Sequence, residues 1–276
     1  MKSIVTSRQN PTVKRLCALL DKKTRRREGV FRFDGIKLLC EAAKKGVFIE
    51  LVVLSEGAGD AVTSVVERLI CEGYLAEERL FYVSSEVFEK MSEESSPEGV
   101  ITVAKNLDEK HKALDSFEEY ELCREARILL AESLRDPGNL GTVVRTAAAL
   151  GIDRLIITDD CADIYNPKTV RAAMGGLFTL RIDIVKANEL PRLIEKLCKN
   201  GRKIYAAALR ENAEEIGNIA LSRGDAFVIG NEGHGLSEAT VDSASGVAII
   251  PMTEGSESLN AAAAAAICIW ETVRAR

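Results

Sequence analysis

Apolar positions along this chain recur with two alternating periods. In the first hundred residues, compact apolar runs at 29–33, 48–54, 80–83 and 99–104 alternate with stretches at 35–46, 61–73 and 86–91, where apolar residues return every three or four positions. The first pattern predicts strands and the second predicts helices. Ile36, Leu39, Cys40 and Ala43 form the expected inward face of the 35–46 helix, which Gly46 closes. Ahead of these elements, residues 7–20 predict a helix with Asn10 as its cap and Pro11 at its first position. Val13, Leu16, Cys17 and Leu20 fall on one side of it.

The stretch around 106–124 is charged and poor in apolar residues, so it reads as a linker. Beyond it the alternation resumes. Strands are predicted at 127–131, 153–158, 177–184, 203–208, 225–230 and 246–251, and helices at 139–150, from Asn166-Pro167, at 188–200 and at 258–273. Strands alternating with helices of this length imply a parallel sheet covered on both faces. Ligands in such folds sit at the carboxyl ends of the strands. The expected organisation is therefore a basic helical arm (1–29), a small α/β domain (30–105), a linker (106–124) and a larger α/β domain (125–276).

Charge changes this picture at one end. Residues 1–45 carry 13 Lys/Arg against 4 Asp/Glu, residues 46–125 carry 7 against 19, and the remainder 17 against 19. Lys22-Lys23 and Arg25-Arg26-Arg27 concentrate the positive charge. Such a cluster suits a polyanion, because each neutralised phosphate releases counterions, although a solvated basic helix has the same composition. No apolar run reaches the length of a membrane span, and the N-terminus lacks a secretory apolar core. Seven scattered cysteines and two histidines offer no Cys-x-x-Cys pair, so neither a disulfide framework nor a zinc site is expected. A reducing cytoplasm fits this usage.

Three segments combine glycines with polar residues at the ends of apolar runs. Gly230-Asn-Glu-Gly-His-Gly235 permits sharp turning and close backbone approach, but its spacing is neither the dinucleotide fingerprint nor a phosphate loop. Its Glu232 either serves chemistry or satisfies backbone N–H groups in a tight turn. Asn139-Leu-Gly-Thr-Val-Val-Arg145 follows the turn Asp136-Pro-Gly, where Asn139 is a good helix cap. Arg145 stands among small and apolar neighbours and needs a partner, either a buried carboxylate or an RNA phosphate. Ile250-Pro-Met-Thr-Glu-Gly-Ser-Glu-Ser258-Leu-Asn260 joins a strand to the last helix, with Ser258 and Asn260 at the helix start. On the plainest reading Ser258 is an N-cap.

Taken together and in this order, the segments resemble the three signature motifs of the SpoU (TrmH-like) RNA ribose 2′-O-methyltransferases. The matching patterns are Asn-hydrophobic-Gly-x-x-x-Arg, Gly-x-Glu-x-x-Gly-Leu and Ile-Pro-Met-x-Gly-x-x-x-Ser-Leu-Asn. The third segment has one extra residue between Met252 and Gly255, and Ala262 stands where many relatives have serine. The resemblance covers residues 125–276. Phe31-Arg-Phe-Asp-Gly-Ile-Lys-Leu-Leu-Cys-Glu-Ala42 resembles, less specifically, the substrate-binding domain found in front of this catalytic domain.

The resemblance implies an α/β fold, a parallel-sheet SPOUT domain with a deep trefoil knot formed after about Asp225, preceded by a small α/β RNA-binding domain. It implies S-adenosylmethionine as methyl donor, no metal, and a homodimer with the site near the subunit interface. Carried over by position, Asn139, Arg145, Glu232, Ser258 and Asn260 are catalytic or substrate-orienting, and Leu209, Gly230, Ile250 and Leu259 contact the cofactor. The expected substrate is rRNA ahead of tRNA, 23S rRNA first. A tRNA 2′-O-methyltransferase and a non-catalytic RNA-binding protein on the same scaffold are the alternatives. Arginine rarely gives up a proton, so Arg145 is expected to bind the phosphate and ribose oxygen rather than act as the base.

Overall fold

The structure, a computed structural model, describes residues 3–114, 123–211, 213–253 and 258–275. It divides into two compact units. The first comprises Met1–Leu107 with Tyr165–Phe178, and the second Asp108–Ile164 with Thr179–Arg276.

In the first unit the chain runs β1 (Ile4–Val5), α1 (Pro11–Ala18), α2 (Lys22–Glu28), β2 (Val30–Asp34), α3 (Ile36–Lys44), β3 (Ile49–Ser55), α4 (Asp60–Cys71), β4 (Leu80–Val83), α5 (Ser85–Met91) and β5 (Val100–Lys105). The sheet order is β1-β4-β3-β5-β2, with β5 antiparallel to both β3 and β2. Period-two alternation on β3 explains the two-sided core. Val52 and Leu54 pack with Leu39, Val62, Val66 and Leu69 of α3 and α4. Val53 packs with Val13 and Leu16 of α1 and with Val87, Phe88 and Met91 of α5.

The expected arm at 1–29 is therefore built into this unit. Its apolar stripe is buried, and part of its charge is consumed internally. Arg25 is buried and donates to the Leu19 and Leu20 carbonyls at 2.9 and 2.6 Å. Arg15 bridges Glu28 and Glu50, each at 2.7 Å. Asn10 caps α1 as expected, its side chain accepting from the Thr12 N–H at 2.9 Å.

The second unit contains β6 (His111–Ala113), β7 (Ile128–Ala131), α6 (Pro137–Leu150) and β8 (Arg154–Thr158). The short α7 (Pro167–Ala173), capped by Asn166, falls with the first unit, where Tyr165 stacks on Phe31. The second unit continues through β9 (Arg181–Val185), α8 (Leu190–Lys199), β10 (Ile204–Ala207), β11 (Glu214–Glu215), β12 (Ala226–Ile229), α9 (Glu238–Ser243), β13 (Gly246–Ile249) and α10 (Ala261–Arg274). Its eight strands run in the order β11-β13-β10-β12-β7-β8-β9-β6, and every pairing is parallel. The almost uniformly buried strands β7 and β12 are the central pair, with Leu129 opposite Phe227.

Several boundaries differ from the periodicity. The strand expected at 177–184 begins at Arg181, because Met174–Phe178 coils into a 3₁₀ turn. Part of the expected linker, His111–Ala113, adds to the sheet beside β9, while 115–122 lies outside the described residues. Helix α9 carried no strong apolar period, and its N-cap Ser237 is what starts it. No helix among the described residues is long and apolar enough to cross a membrane.

Candidate active site

The carboxyl ends of β7, β10, β12 and β13 lie side by side, and the loops leaving them bring the three motifs together. Between them is a cavity of about 430 Å³, lined by residues 207–210, 229–236, 248–250, Met252, Ser258, Leu259, Ala261 and Ala264.

The glycine loop builds one wall. Asn231 and Gly235 bond to each other through their backbones, at 3.1 and 2.9 Å. The Asn231 side chain accepts from the Gly233 N–H at 2.8 Å and donates to the Ser133 carbonyl at 2.9 Å. Gly230 cannot be larger here, since a Cβ on it would lie 2.4 Å from the Gly235 carbonyl carbon. Gly235 takes φ +67°, a region that disfavours side chains. Asn231 was not among the expected site residues. Its signal in the sequence is the asparagine's habit of hydrogen-bonding backbone two residues on.

Motif one meets motif two through Asn139. The expected capping role of Asn139 is corrected by the structure: α6 begins two residues earlier, and Asp136 caps it by accepting from the Asn139 N–H at 2.8 Å. Pro137 at the first helical position makes the earlier start favourable. The Asn139 side chain is thereby released for other contacts. Its amide donates to Glu232, and its oxygen accepts from the Asn260 amide at 3.0 Å. Asn260, not Ser258, caps α10, accepting from the Ala262 and Ala263 N–H groups at 2.9 and 3.3 Å. Ser258 is therefore exposed at the cavity edge, free of the capping role. Glu254, Gly255, Ser256 and Glu257 of the third motif lie outside the described residues.

Leu209, Gly230, Ile250 and Leu259 all line the cavity, as do Glu232 and Ser258. Leu209 is 61% exposed and Leu259 38%, which leaves apolar surface facing the opening. Arg145 stands apart. It is exposed on α6, is absent from the lining, and makes no hydrogen bond or ion pair among the described residues. The buried-carboxylate partner considered for it is thus excluded there. His234 and Arg210 also line the cavity, and Arg210 is held by Glu238 at 2.5 Å. Among the described residues no three His, Cys, Asp or Glu side chains converge as a metal site requires.

Residues 126–270 match the model of the SpoU rRNA methylase family, and residues 10–102 match that of the MRM3-like substrate-binding domain. The 23S rRNA (guanosine(2553)-2′-O)-methyltransferase RlmP of Bacillus subtilis is 32% identical over 96% of this chain and 97% of its own length. Among solved structures, an RNA 2′-O ribose methyltransferase superposes with a TM-score of 0.80 at 28% identity, covering 99% of this chain and 98% of the other. An AdoMet-bound rRNA methyltransferase from Sinorhizobium meliloti gives 0.81 at 27% identity, covering 99% and 97%.

Proposed function

The chain belongs to the SpoU rRNA methylase family, and we propose that it transfers the methyl group of S-adenosylmethionine to a ribose 2′-hydroxyl of 23S rRNA. The observation that carries this reading is the convergence of the glycine loop, the Asn139–Glu232–Asn260 cluster and Ser258 on one cavity at the carboxyl ends of a parallel sheet. Its volume falls in the usual range for small-molecule sites, about 300–1,000 Å³. The cofactor supplies a methyl group on a sulfonium, already a good leaving group, so the protein's task is to position the ribose oxygen in line and to let its proton leave.

The chain's residues divide that task. Gly230, Ile250, Leu209 and Leu259 hold the cofactor, with Gly230 admitting it closest to backbone. Asn139 orients Glu232 on one side and Asn260 on the other. Ser258 faces the ribose from the start of α10. Arg145, an exposed guanidinium with no partner among the described residues, binds the RNA phosphate beside the target ribose. The half-buried Lys22 and the exposed Lys23, Arg26 and Arg27 of the first unit add phosphate contacts. That unit selects RNA by shape and backbone.

We place a deep trefoil knot in the chain after about Asp225. The support is topological: β10 lies between β12 and β13, and α10 then packs on both α6 and β12. A homodimer completes the reading. Ala263, Ile267 and Trp270 recur at helical spacing on α10, and Trp270 is 56% exposed, an apolar stripe that a second copy covers. The seven cysteines are all free thiols, which suits the cytoplasm.

Transfer of tritiated methyl from S-adenosylmethionine to unmodified rRNA and tRNA tests the activity, with Arg145→Ala as control. Label at an alkali-resistant position in 23S rRNA, absent with the variant, is expected. Label confined to tRNA overturns the substrate assignment. Cofactor binding with no label in either pool favours the non-catalytic RNA-binding alternative.

A further inference from the structure

Glu132 directly follows β7, outside all three motifs, and is 6% exposed. A buried carboxylate requires donors around it. Those it finds come from the segment that leaves the glycine loop. Ser237 donates its N–H at 3.0 Å and its hydroxyl at 2.7 Å, and the buried Thr240 donates its hydroxyl at 3.1 Å. Ser237 is also the N-cap of α9. The loop's exit is thereby fastened to β7.

The next residue fastens its entrance. The Ser133 carbonyl accepts from the Asn231 amide at 2.9 Å. Ser133 adopts φ +56°, a conformation that persists in a non-glycine residue only where its surroundings hold it. They do so here: its N–H meets the Thr158 hydroxyl at 2.8 Å, and its own hydroxyl donates to Asp160 at 2.5 Å. Two consecutive residues of one strand end thus grip the glycine loop at both ends. Gly230, Glu232 and Leu236, which line the cavity, are carried by this loop.

We propose that Glu132 is a positioning residue for methyl transfer, an anionic anchor that holds the glycine loop in its cofactor-binding shape and keeps Glu232 within reach of Asn139. The inference rests on the S-adenosylmethionine reading above. Glu132 acts through Ser237 and Thr240 and touches neither cofactor nor RNA. The anion matters because Ser237 N–H and both hydroxyls donate to it. Glutamine has the same shape but one acceptor oxygen fewer, and its amide would face a donor.

The test compares wild type, Glu132→Gln, Ser237→Ala and the double variant. Calorimetry reads S-adenosylmethionine binding, steady-state kinetics reads KM for each substrate, and amide exchange reads residues 230–237. Glu132→Gln is expected to weaken cofactor binding by about tenfold and to raise the cofactor KM similarly, with the RNA KM within about twofold. Ser237→Ala weakens binding less. The double variant is no worse than Glu132→Gln, because the two residues act as one unit. Exchange in 230–237 accelerates in each variant.

Unchanged cofactor affinity in Glu132→Gln, or additive effects of the two substitutions, overturns the proposal. Should Glu132→Gln fail to fold, Ser237→Ala decides alone, and unchanged exchange at 230–237 sinks the idea. A wild type that does not bind S-adenosylmethionine refutes the functional reading instead, while the exchange data still judge the anchor.

Discussion

Asn139 shows how one side chain acquires two partners once it is relieved of capping duty. Because Asp136 takes the cap, the Asn139 amide and oxygen are both spent on Glu232 and Asn260. Replacing Asn139 with aspartate places a carboxylate against Glu232, and like charges raise the pKa of such a pair. Methyl transfer by Asn139→Asp is expected to fall by about tenfold or more, measured as single-turnover kcat. Gly230 gives a sharper case. Its alanine variant must shift the Gly235 backbone, so S-adenosylmethionine affinity should drop at least about tenfold by calorimetry. Near-wild-type affinity in Gly230→Ala would contradict the geometry. Arg145→Ala, by contrast, should abolish transfer while leaving cofactor affinity within about twofold. Arg145→Lys should fail as well, since a fork-shaped donor is not replaced by a point charge.

At the scale of elements, the loops after β7 and β8 are joined through Asp160. Burial works to raise its pKa, but hydrogen bonds from the Ser133 and Thr158 hydroxyls and from Arg135 outweigh it, so the carboxyl sits below its ordinary value. A depressed folded pKa adds stability that is present above the unfolded value and lost as pH falls through the folded one. Asp160→Asn should therefore lower Tm at pH 7, and the gap from wild type should close as pH falls through the depressed folded pKa. A gap independent of pH would show that the hydrogen-bond geometry, not the charge, is what counts. Helix α10 offers a second check. Burial pushes the Cys268 thiol up to about 12, and it is fully buried, whereas Cys71 and Cys123 are exposed. Thiol reagents at pH 8 should modify Cys71 and Cys123 in the native protein and reach Cys268 only after unfolding.

At the scale of the whole molecule, charge and assembly are the testable properties. Removing residues 1–28 would also remove Val13, Leu16 and Leu19 from the first unit's core, so truncation confounds charge with folding. Neutralising Lys22, Lys23, Arg26 and Arg27 to glutamine avoids this. Each lost phosphate contact should flatten the salt dependence of RNA binding, by about 0.7–0.9 in the log–log slope. An unchanged slope would remove this surface from the RNA interface. For the proposed dimer, Trp270→Glu should leave a folded chain that sediments as a monomer.

Much of this protein was legible in its residues alone. The strand and helix alternation, the N-cap at Asn10 and the three motifs depend on local periodicity and short-range spacing, which a chain displays without being folded. Periodicity also separated the parallel sheet from the smaller domain. What tertiary structure decided was everything set by distant partners. Asp136 and Asn139 both had the chemistry of a cap, and only the observed start of α6 chose between them. Tyr165–Phe178 joined the first unit although it lies deep in the sequence of the second, because its aromatic residues meet Phe31 and Phe33. Arg25 and Arg15 looked like free charge until burial and Glu28 claimed them. Glu132 had no motif to mark it, since its role exists only through a hydroxyl and an N–H more than a hundred residues away.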